Sequence, residues 1–574
     1  MRIKSFPILG WLADYKKSEF SGDLIAGTIV AIVLLPQAMA YAMLAGLPPQ
    51  IGLYSCIVPI LMYAVFGTSR TLAVGPVGLM SLMVGSEIVE LQIADEPHKL
   101  SVAVLLALLS GIMLVLLHVL KFGSAINFIS HPVLSGFTSA AALIIGVSQL
   151  KHLFGLEVPK SVEFHESVSR ALEALPASLN IWTTSIGLAS ITIMVGLRLG
   201  ASVKCLERSL PTVLVQMISR SGPLVSIFLG IMLVGFFKLE QADMPVAIVG
   251  NIPSGLPPLK LPAIDWELVE RILPIASVIA IVGYLESVSV AKALAGRRRQ
   301  KIDANQELLA LGCANIGAAF SGGYPVSGGL GRSMVNFSSG ANTQISALVS
   351  AFLMALVLLL LTPLFYYLPK SVLAAIIIVA VSGLFDLKTM KQVWVYDRSE
   401  GLCLIATFIA VLMLGIEWGI LLGALIAIGY HLKRSSRPHV AVVGRIANTE
   451  HFRNVARHEV LTCPHVLAMR IDENLYFANI AFIEDYIMAL IADNRNAKHL
   501  VLICSAVNTI DSSALELLDS LVERLREIDV TLHLSEVKGP VMDRLKKTPF
   551  LAKLGPGKIF LSTHEAMTEL ECNA

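Results

Sequence analysis

Residues 321–338, SGGYPVSGGLGRSMVNFS, interrupt a chain built from long apolar runs. Lipid offers no partner to non-helical backbone, so such a stretch is tolerated at membrane depth only where protein or a water-filled cavity covers it. The segment is read as a broken membrane helix, and broken helices mark binding sites. Arg332 is then the residue to explain. A cation near the bilayer centre is kept where it meets negative charge, and the free N–H groups of a helix starting beside it attract the same anion. A cytoplasmic loop with a surface arginine would carry the same letters. A second interrupted segment in the corresponding place of the first half, TLAVGPVG at 71–78, favours the buried site.

Composition sets the class. With 55% hydrophobic and 15% charged residues and a mean hydropathy of +0.73, most of the chain reads as a polytopic α-helical membrane protein in contact with a lipid bilayer. A formal net charge of +2, with no basic stripe interleaved with aromatics, argues against nucleic acid. The seven cysteines form no C-x-x-C pair and no cluster with histidine, so neither a zinc site nor a disulfide framework is expected. Cys56, Cys313 and Cys403 read as small packing residues.

Residues 1–22 carry Arg2, Lys4, Lys16 and Lys17 and read as a cytoplasmic lead-in. Leu24 to Leu47 is too long for the apolar core of a cleavable signal, since ~20 residues cross the hydrocarbon. Inside this first span, Pro36 is expected to open the helix and Gln37 to face an interior surface. A helix–helix hydrogen bond would explain Gln37 equally well. Further spans are expected near 51–66, 77–88, 101–120, 133–150, 181–199 and 223–237. After the hydrophilic stretch 238–271 come spans near 272–294 and 305–320, the 321–338 interruption, then 344–361, 371–385, 401–415 and 417–431.

Each half thus has its broken helix third of seven, making half-helices 3 and 10 of about 14 spans. An odd number per half sets the halves in opposite orientation, a 7+7 inverted repeat whose two half-helix N-termini meet near the midplane. The even-numbered spans end in Arg70, Lys121, the Arg198/Lys204/Arg208 group, Arg297 to Lys301, and Lys433–Arg434. The opposite loops carry Glu87, Glu90, Asp95 and Glu96, or Glu157, Glu163 and Glu166. The basic excess places both termini in the cytoplasm.

Glu286 lies within the eighth span, in IVGYLESVS at 281–289. An intramembrane carboxylate must be protonated, paired or ion-bound. Pairing with Arg332 would make it structural. Exchange of a proton or sodium ion would couple transport to a gradient, and we favour coupling because desolvation opens the uncharged form to a cycling carboxyl group.

After Arg437 the composition shifts to β-rich runs and amphipathic helices, which gives domains at 1–22, 23–437 and 438–574, the last a small α/β module. His499 to Cys504 reads as a buried strand and Thr531 to Glu536 as another. A helix starts at Asp511–Ser512–Ser513, and Ser562 with Glu565 forms a capping box. Asp511 or Ser512 reads as the N-cap, and the alternative is that Ser512 is a regulatory phosphosite, because a helix N-terminus favours phosphate.

These residues together resemble the SulP anion permeases, the bacterial branch of the solute carrier 26 transporters, with a C-terminal STAS domain. The likeness covers nearly all of residues 20–567. It rests on PQAMAY at 36–41, the stretch from Gly52–Leu53–Tyr54 to Gly67–Thr68–Ser69–Arg70, Val74–Gly75–Pro76, NQEL at 305–308, and GGYPV at 322–326 leading to Arg332–Ser333. The resemblance implies a core domain moving against a gate domain, an anion held between the third and tenth helices, and a homodimer. It implies substrate contacts from Gln37 and Tyr41, from Val77, and from Gly329, Leu330, Gly331 and Arg332, with Glu286 at the position of the ion-coupling carboxylate. Gly329 and Gly331 stand where many members have serines, so the anion would rely on backbone N–H groups, Ser327 and Arg332.

The function expected is secondary active uptake of a small inorganic anion, sulfate or a similar oxyanion, by alternating access in the plasma membrane (the inner membrane of a bacterium) and coupled to protons. Within transport the alternative is sodium-coupled symport of bicarbonate or a dicarboxylate. A different class is a regulatory scaffold or transceptor in which the STAS domain meets a cytoplasmic regulatory protein. An enzyme is not expected: no nucleophile–base pair, metal cluster, phosphate loop or cofactor motif is visible.

Overall fold

The computed structural model describes residues 6–123, 130–158, 164–200 and 221–572, so Arg2, Lys4, Glu163, Lys204 and Arg208 of the charge pattern lie outside the described residues. The chain forms two compact units, Met1–Leu425 and Ile426–Ala574.

Helices occupy each of the expected span positions. The first half contributes Lys17–Leu44, the pair Pro49–Tyr54 and Val58–Phe66, then Gly78–Glu90, Glu96–Val119, His131–Ser148, Ile181–Gly200 and Gly222–Phe237. The second contributes Trp266–Arg297, Ala304–Phe320, Leu330–Ser338, Ile345–Leu360, Lys370–Ser382, Arg398–Leu414 and Ile416–Ser436. This is a polytopic α-helical membrane fold of two inverted seven-span repeats. Its outward-facing apolar side chains, such as Phe228, Phe236 and Phe352, are exposed where lipid would cover them.

Two local expectations are corrected. The first helix runs through Pro36 without a break from Lys17 to Leu44. Proline removes one helical hydrogen bond, and packed neighbours in a membrane protein tolerate that loss. The helix also begins earlier than its apolar run, because Glu19 Oε2 accepts the Lys16 N–H at 3.1 Å and closes the first turn. The acidic stretch expected as a plain loop contains the amphipathic helix Phe164–Ser178, and a further helix covers Leu387–Tyr396.

The third and tenth elements are short helices completed by extended chain. Gly78–Glu90 has 13 residues and covers only about 20 Å at ~1.5 Å each. Residues 71–77, at ~3.3 Å each, add roughly 23 Å and carry the segment across. Leu330–Ser338 is built in the same way behind residues 321–329. The two extended pieces pair with each other: β1 (Val74–Gly75) lies antiparallel to β2 (Ser327–Gly328), with Val74 opposite Gly328 and Gly75 opposite Ser327.

In the second unit a six-stranded sheet runs in the order β4-β3-β5-β6-β7-β8. Its strands are β3 (Val440–Arg445), β4 (Phe452–Asn454), β5 (Val466–Ile471), β6 (His499–Ile503), β7 (Thr531–Ser535) and β8 (Ile559–Phe560). The strands from β5 to β8 are parallel, and β3 is antiparallel to both neighbours. Alternation along the strands supplies two cores. Leu467, Met469, Leu500 and Leu502 pack with helices Ile480–Asp493 and Ser512–Glu527 on one face, while Ala468, Val501 and Ile503 pack with Ala566 and Met567 on the other.

Candidate functional site

Neither half-helix is capped by a side chain. The residues at the two N-cap positions are Val77 and Gly329, and neither side chain carries a hydrogen-bond acceptor. The first-turn N–H groups of both helices therefore remain for another acceptor, and the two positive dipole ends point into one place. A Cβ built on Gly329 would lie 3.2 Å from Val77 Cγ1. Val77 and Gly329 are thus in contact across the two halves.

The unwound backbone around this junction is held largely by side chains from elsewhere in the fold. Ser333 Oγ accepts the Ala73 N–H at 2.9 Å, and Ser287 Oγ accepts the Gly328 N–H at 2.8 Å. Asn315 binds Val326 twice, accepting its N–H at 2.9 Å and donating to its carbonyl at 3.1 Å. Ser55 Oγ accepts the Tyr324 N–H at 3.1 Å, and the Tyr324 hydroxyl lies 2.9 Å from Ser81 Oγ. Asn336 and Gln344 donate to the carbonyls of Thr71, Ser69 and Leu72. With these polar groups satisfied, the strand pair can persist inside an apolar unit.

Arg332 folds back over this pair. Its Nη1 lies 3.2 Å from a Cβ built on Gly75, and its Nη2 lies 3.1 Å from one built on Gly329, so a side chain at either position would crowd the guanidinium. Arg332 is only 3% exposed. Both terminal nitrogens are buried without a hydrogen-bond partner. A desolvated cation in that condition is costly unless negative charge stands nearby. The ionisable groups around it are Cys56, Tyr41, Tyr324 and Glu286. Only Glu286 among them is a carboxylate, and it makes no ion pair with Arg332; the Ser327 hydroxyl donates to its Oε2 at 3.3 Å instead.

The other expected residues gather here. Tyr41 is buried with Cε1 3.2 Å from a Cβ built on Gly78, the first residue of its half-helix. Gln37, half-buried, lies one turn before Tyr41 on the same face of the first helix. Val77, Ser327 and Gly329 are buried, whereas Leu330 is 44% exposed and Gly331 borders open space. Leu330 and Gly331 therefore mark the open side of the junction.

Two further buried carboxylates went unrecognised in the sequence. Glu307, fully buried, accepts from Tyr63 Oη at 2.7 Å, Thr68 N at 2.7 Å, Thr68 Oγ1 at 2.5 Å and Ser69 N at 3.3 Å. Asp23, also fully buried, accepts from Asn342 N at 2.6 Å, Thr343 N at 3.0 Å and Thr343 Oγ1 at 2.6 Å. Each fastens one half to the other beside a broken segment. Both are saturated with donors, which makes them fasteners. Among the described residues no cluster of three or more His, Cys, Asp or Glu could hold a metal.

In the second unit Asp511 is the N-cap of helix Ser512–Glu527: its Oδ1 accepts from Ala514 N at 2.8 Å and its Oδ2 from Phe477 N at 2.9 Å. Ser512 follows as an exposed first-turn residue. Ser562 caps the last helix by accepting the Glu565 N–H at 3.0 Å, but Glu565 reaches back to Leu561 N, one residue before the capping-box position.

Residues 20–407 match the model of the sulfate permease family, and residues 458–566 match the STAS domain. The chain is 36% identical to "Sulfate transporter 4.1, chloroplastic" of Arabidopsis thaliana, across 98% of this chain and 82% of that protein. It is 30% identical to "High affinity sulfate transporter 1" of Stylosanthes hamata, across 98% and 85%. In fold it resembles the murine Slc26a9 anion transporter in the inward-facing state, with a TM-score of 0.88 at 23% identity over 99% of this chain and 94% of that one. The transmembrane domain of the cyanobacterial bicarbonate transporter BicA gives 0.58 at 24% identity, over 72% and 99%. The chain belongs to the sulfate permease family, whose members are membrane transporters and not enzymes, and it carries a STAS domain in its C-terminal part.

Proposed function

We propose that the protein is a proton-coupled transporter of sulfate or a similar small oxyanion, working by alternating access at the junction of the two half-helices. One observation carries the reading: Arg332 is buried with both terminal nitrogens unpartnered, between two uncapped helix N-termini. Such a place has a surplus of positive potential and needs an anion. The substrate would take the first-turn N–H groups after Val77 and Gly329, with Gln37, Tyr41, Ser327, Leu330 and Gly331 around it. Gly331, with open space beside it, leaves the backbone there free to be approached.

Charge balance suggests how coupling would arise. With the site empty, an ionised Glu286 offsets Arg332. With an oxyanion bound, the carboxylate repels it, and a proton on Glu286 removes that repulsion. Anion and proton then favour each other's binding, which is the condition for symport. A sodium ion on Glu286 Oε2 and Ser327 Oγ, oxygens already 3.3 Å apart, would do the same work, and this observation keeps sodium as the second reading.

The remaining parts of the proposal follow from charge and sequence. Both termini are cytoplasmic and the protein sits in the plasma membrane as a homodimer, with the division into 1–22, 23–437 and 438–574. The STAS domain meets a cytoplasmic regulator, and Ser512 is open to phosphorylation. Uptake of labelled sulfate, bicarbonate and dicarboxylates into proteoliposomes, with proton and sodium gradients imposed separately, tests the reading. Sulfate accumulation driven by the proton gradient is expected. Accumulation of none of these anions under either gradient contradicts it.

A further inference from the structure

A cavity of about 500 Å³ lies along the half-helix Gly78–Glu90 beyond its N-terminus, among Met43, Met83, Ser86, Ile144 and Ser148. Its first contact on that helix is Leu82, one turn or ~6 Å beyond Gly78. It therefore extends away from the junction toward the end of the half-helix Gly78–Glu90, opposite to the direction in which Leu330–Ser338 runs, because the other half-helix belongs to the inverted repeat.

Ile145 stands beside the junction, next to residues that line this cavity. Ile145 is fully buried, and its Cδ1 lies 3.4 Å from a Cβ built on Gly78, where Tyr41 Cε1 also arrives at 3.2 Å. The neighbours of Ile145 on the helix His131–Ser148, Ile144 and Ser148, open into the cavity. Ile145 thus faces the anion junction while residues beside it face the cavity. An aliphatic side chain at a constriction is a barrier to a hydrated anion, which would have to shed water to pass it.

We propose that the cavity is the second access vestibule of the anion pathway, and that Ile145, beside Gly78 where Tyr41 also arrives, is the partition closing it from the site. The proposal rests on the transport reading above. It assigns a gating role to a residue on a helix that supplies no substrate contact, and it predicts that the pathway here is open at Leu330 and closed at Ile145.

Two measurements on the full-length protein test it. A thiol placed by Ser148→Cys is expected to react with a membrane-impermeant methanethiosulfonate added only on the face opposite Arg297 to Arg299, above the background of the unmodified parent. Ile145→Ala is expected to raise gradient-dissipating sulfate efflux by at least about tenfold, with Ile145→Leu close to the parent. Should Ile145→Ala not be recovered folded, Ile145→Val is expected to move efflux in the same direction by a smaller factor. An unreactive Ser148→Cys in a transporting protein overturns the vestibule, and parental efflux in the folded Ile145 variants overturns the partition. A parent that moves no anion while Ser148→Cys reacts overturns the transport reading, and with it the assignment of this water-accessible cavity to an anion pathway.

Discussion

Ser327 donates its hydroxyl to Oε2 of Glu286 at 3.3 Å, tying the carboxylate of the helix Trp266–Arg297 to the strand that leads into the second half-helix. The neighbouring Ser287 accepts the Gly328 N–H, so two successive residues of one helix hold two successive residues of β2. Glu286 and Ser287 are thereby tied to the backbone that leads into the half-helix Leu330–Ser338, where we propose that the anion binds.

This bond can be removed alone. Ser327→Ala leaves the strand pair and the half-helix in place but frees the carboxylate from its oriented partner. Proton-driven accumulation of sulfate is expected to fall several-fold, about 1 kcal/mol for one hydrogen bond to a charged or polar group, while exchange of sulfate without a gradient falls less. Equal loss of both would assign Ser327 to substrate contact and not to coupling.

Arg332→Ala separates function from stability. Removing the buried cation is expected to lower sulfate flux by about 100-fold, the scale of losing one preorganised charge in a water-poor site. The same change is expected to leave the melting temperature in detergent equal or higher, because the two terminal guanidinium nitrogens have no hydrogen-bond partner to lose. Flux and thermal unfolding measured on one preparation decide it; parental flux in the folded variant would remove Arg332 from the site.

Glu307→Ala is expected to show the reverse. It strips an acceptor from Tyr63 Oη, Thr68 N, Thr68 Oγ1 and Ser69 N inside the fold. A loss of roughly 3 kcal/mol or more is expected from stranding these donors, read as a lower unfolding temperature and poor recovery. A variant as stable as the parent would show that the Thr68–Ser69 backbone is held by something else.

The STAS domain carries a pH dependence of its own. His533 Nδ1 accepts the Lys558 N–H at 3.1 Å, so the proton sits on Nε2 and is donated to His499 Nδ1 at 3.1 Å. Burial, then the nearby His499 and Lys558, push the His533 ring down from 6.5 to about 4. In the unfolded chain His533 takes up a proton below about pH 6.5, whereas the folded chain resists until about pH 4. Stability is therefore full above the unfolded value and is lost as pH falls through this window. Hydrogen-exchange protection of residues 499–503 and 531–535, corrected for intrinsic rates, is expected to drop between these values in the parent and to change less in His533→Gln. Equal slopes would assign the acid sensitivity to other groups.

Much of the architecture could be read from the letters because lipid imposes a length and a polarity on each span. The two broken helices were readable from Pro76 and Pro325 with their glycines. Pro36 was misleading, since a lone proline in a packed helix costs one hydrogen bond and no break. The helix Phe164–Ser178 was missed because its charges match those of a loop. The pairing of β1 with β2 has no sequence pattern: two residues per strand are too few for alternation to register. Glu307 and Asp23 were passed over because most of their donors lie 238 or more residues away in the chain, at Thr68, Ser69 and Thr343. Their position within or beside apolar spans was the signal, the same one that identified Glu286. Arg332 was legible as a costly residue, but its lack of an ion partner was visible only in the fold.

The central claim is that Glu286 exchanges the coupling ion beside the anion, and Glu286→Gln tests it most directly by fixing the neutral form. In proteoliposomes, sulfate exchange at zero gradient is expected to persist within a few-fold of the parent, with its dependence on pH flattened. Accumulation under an imposed proton or sodium gradient is expected to vanish. Accumulation by the folded Gln variant equal to that of the parent would contradict the account.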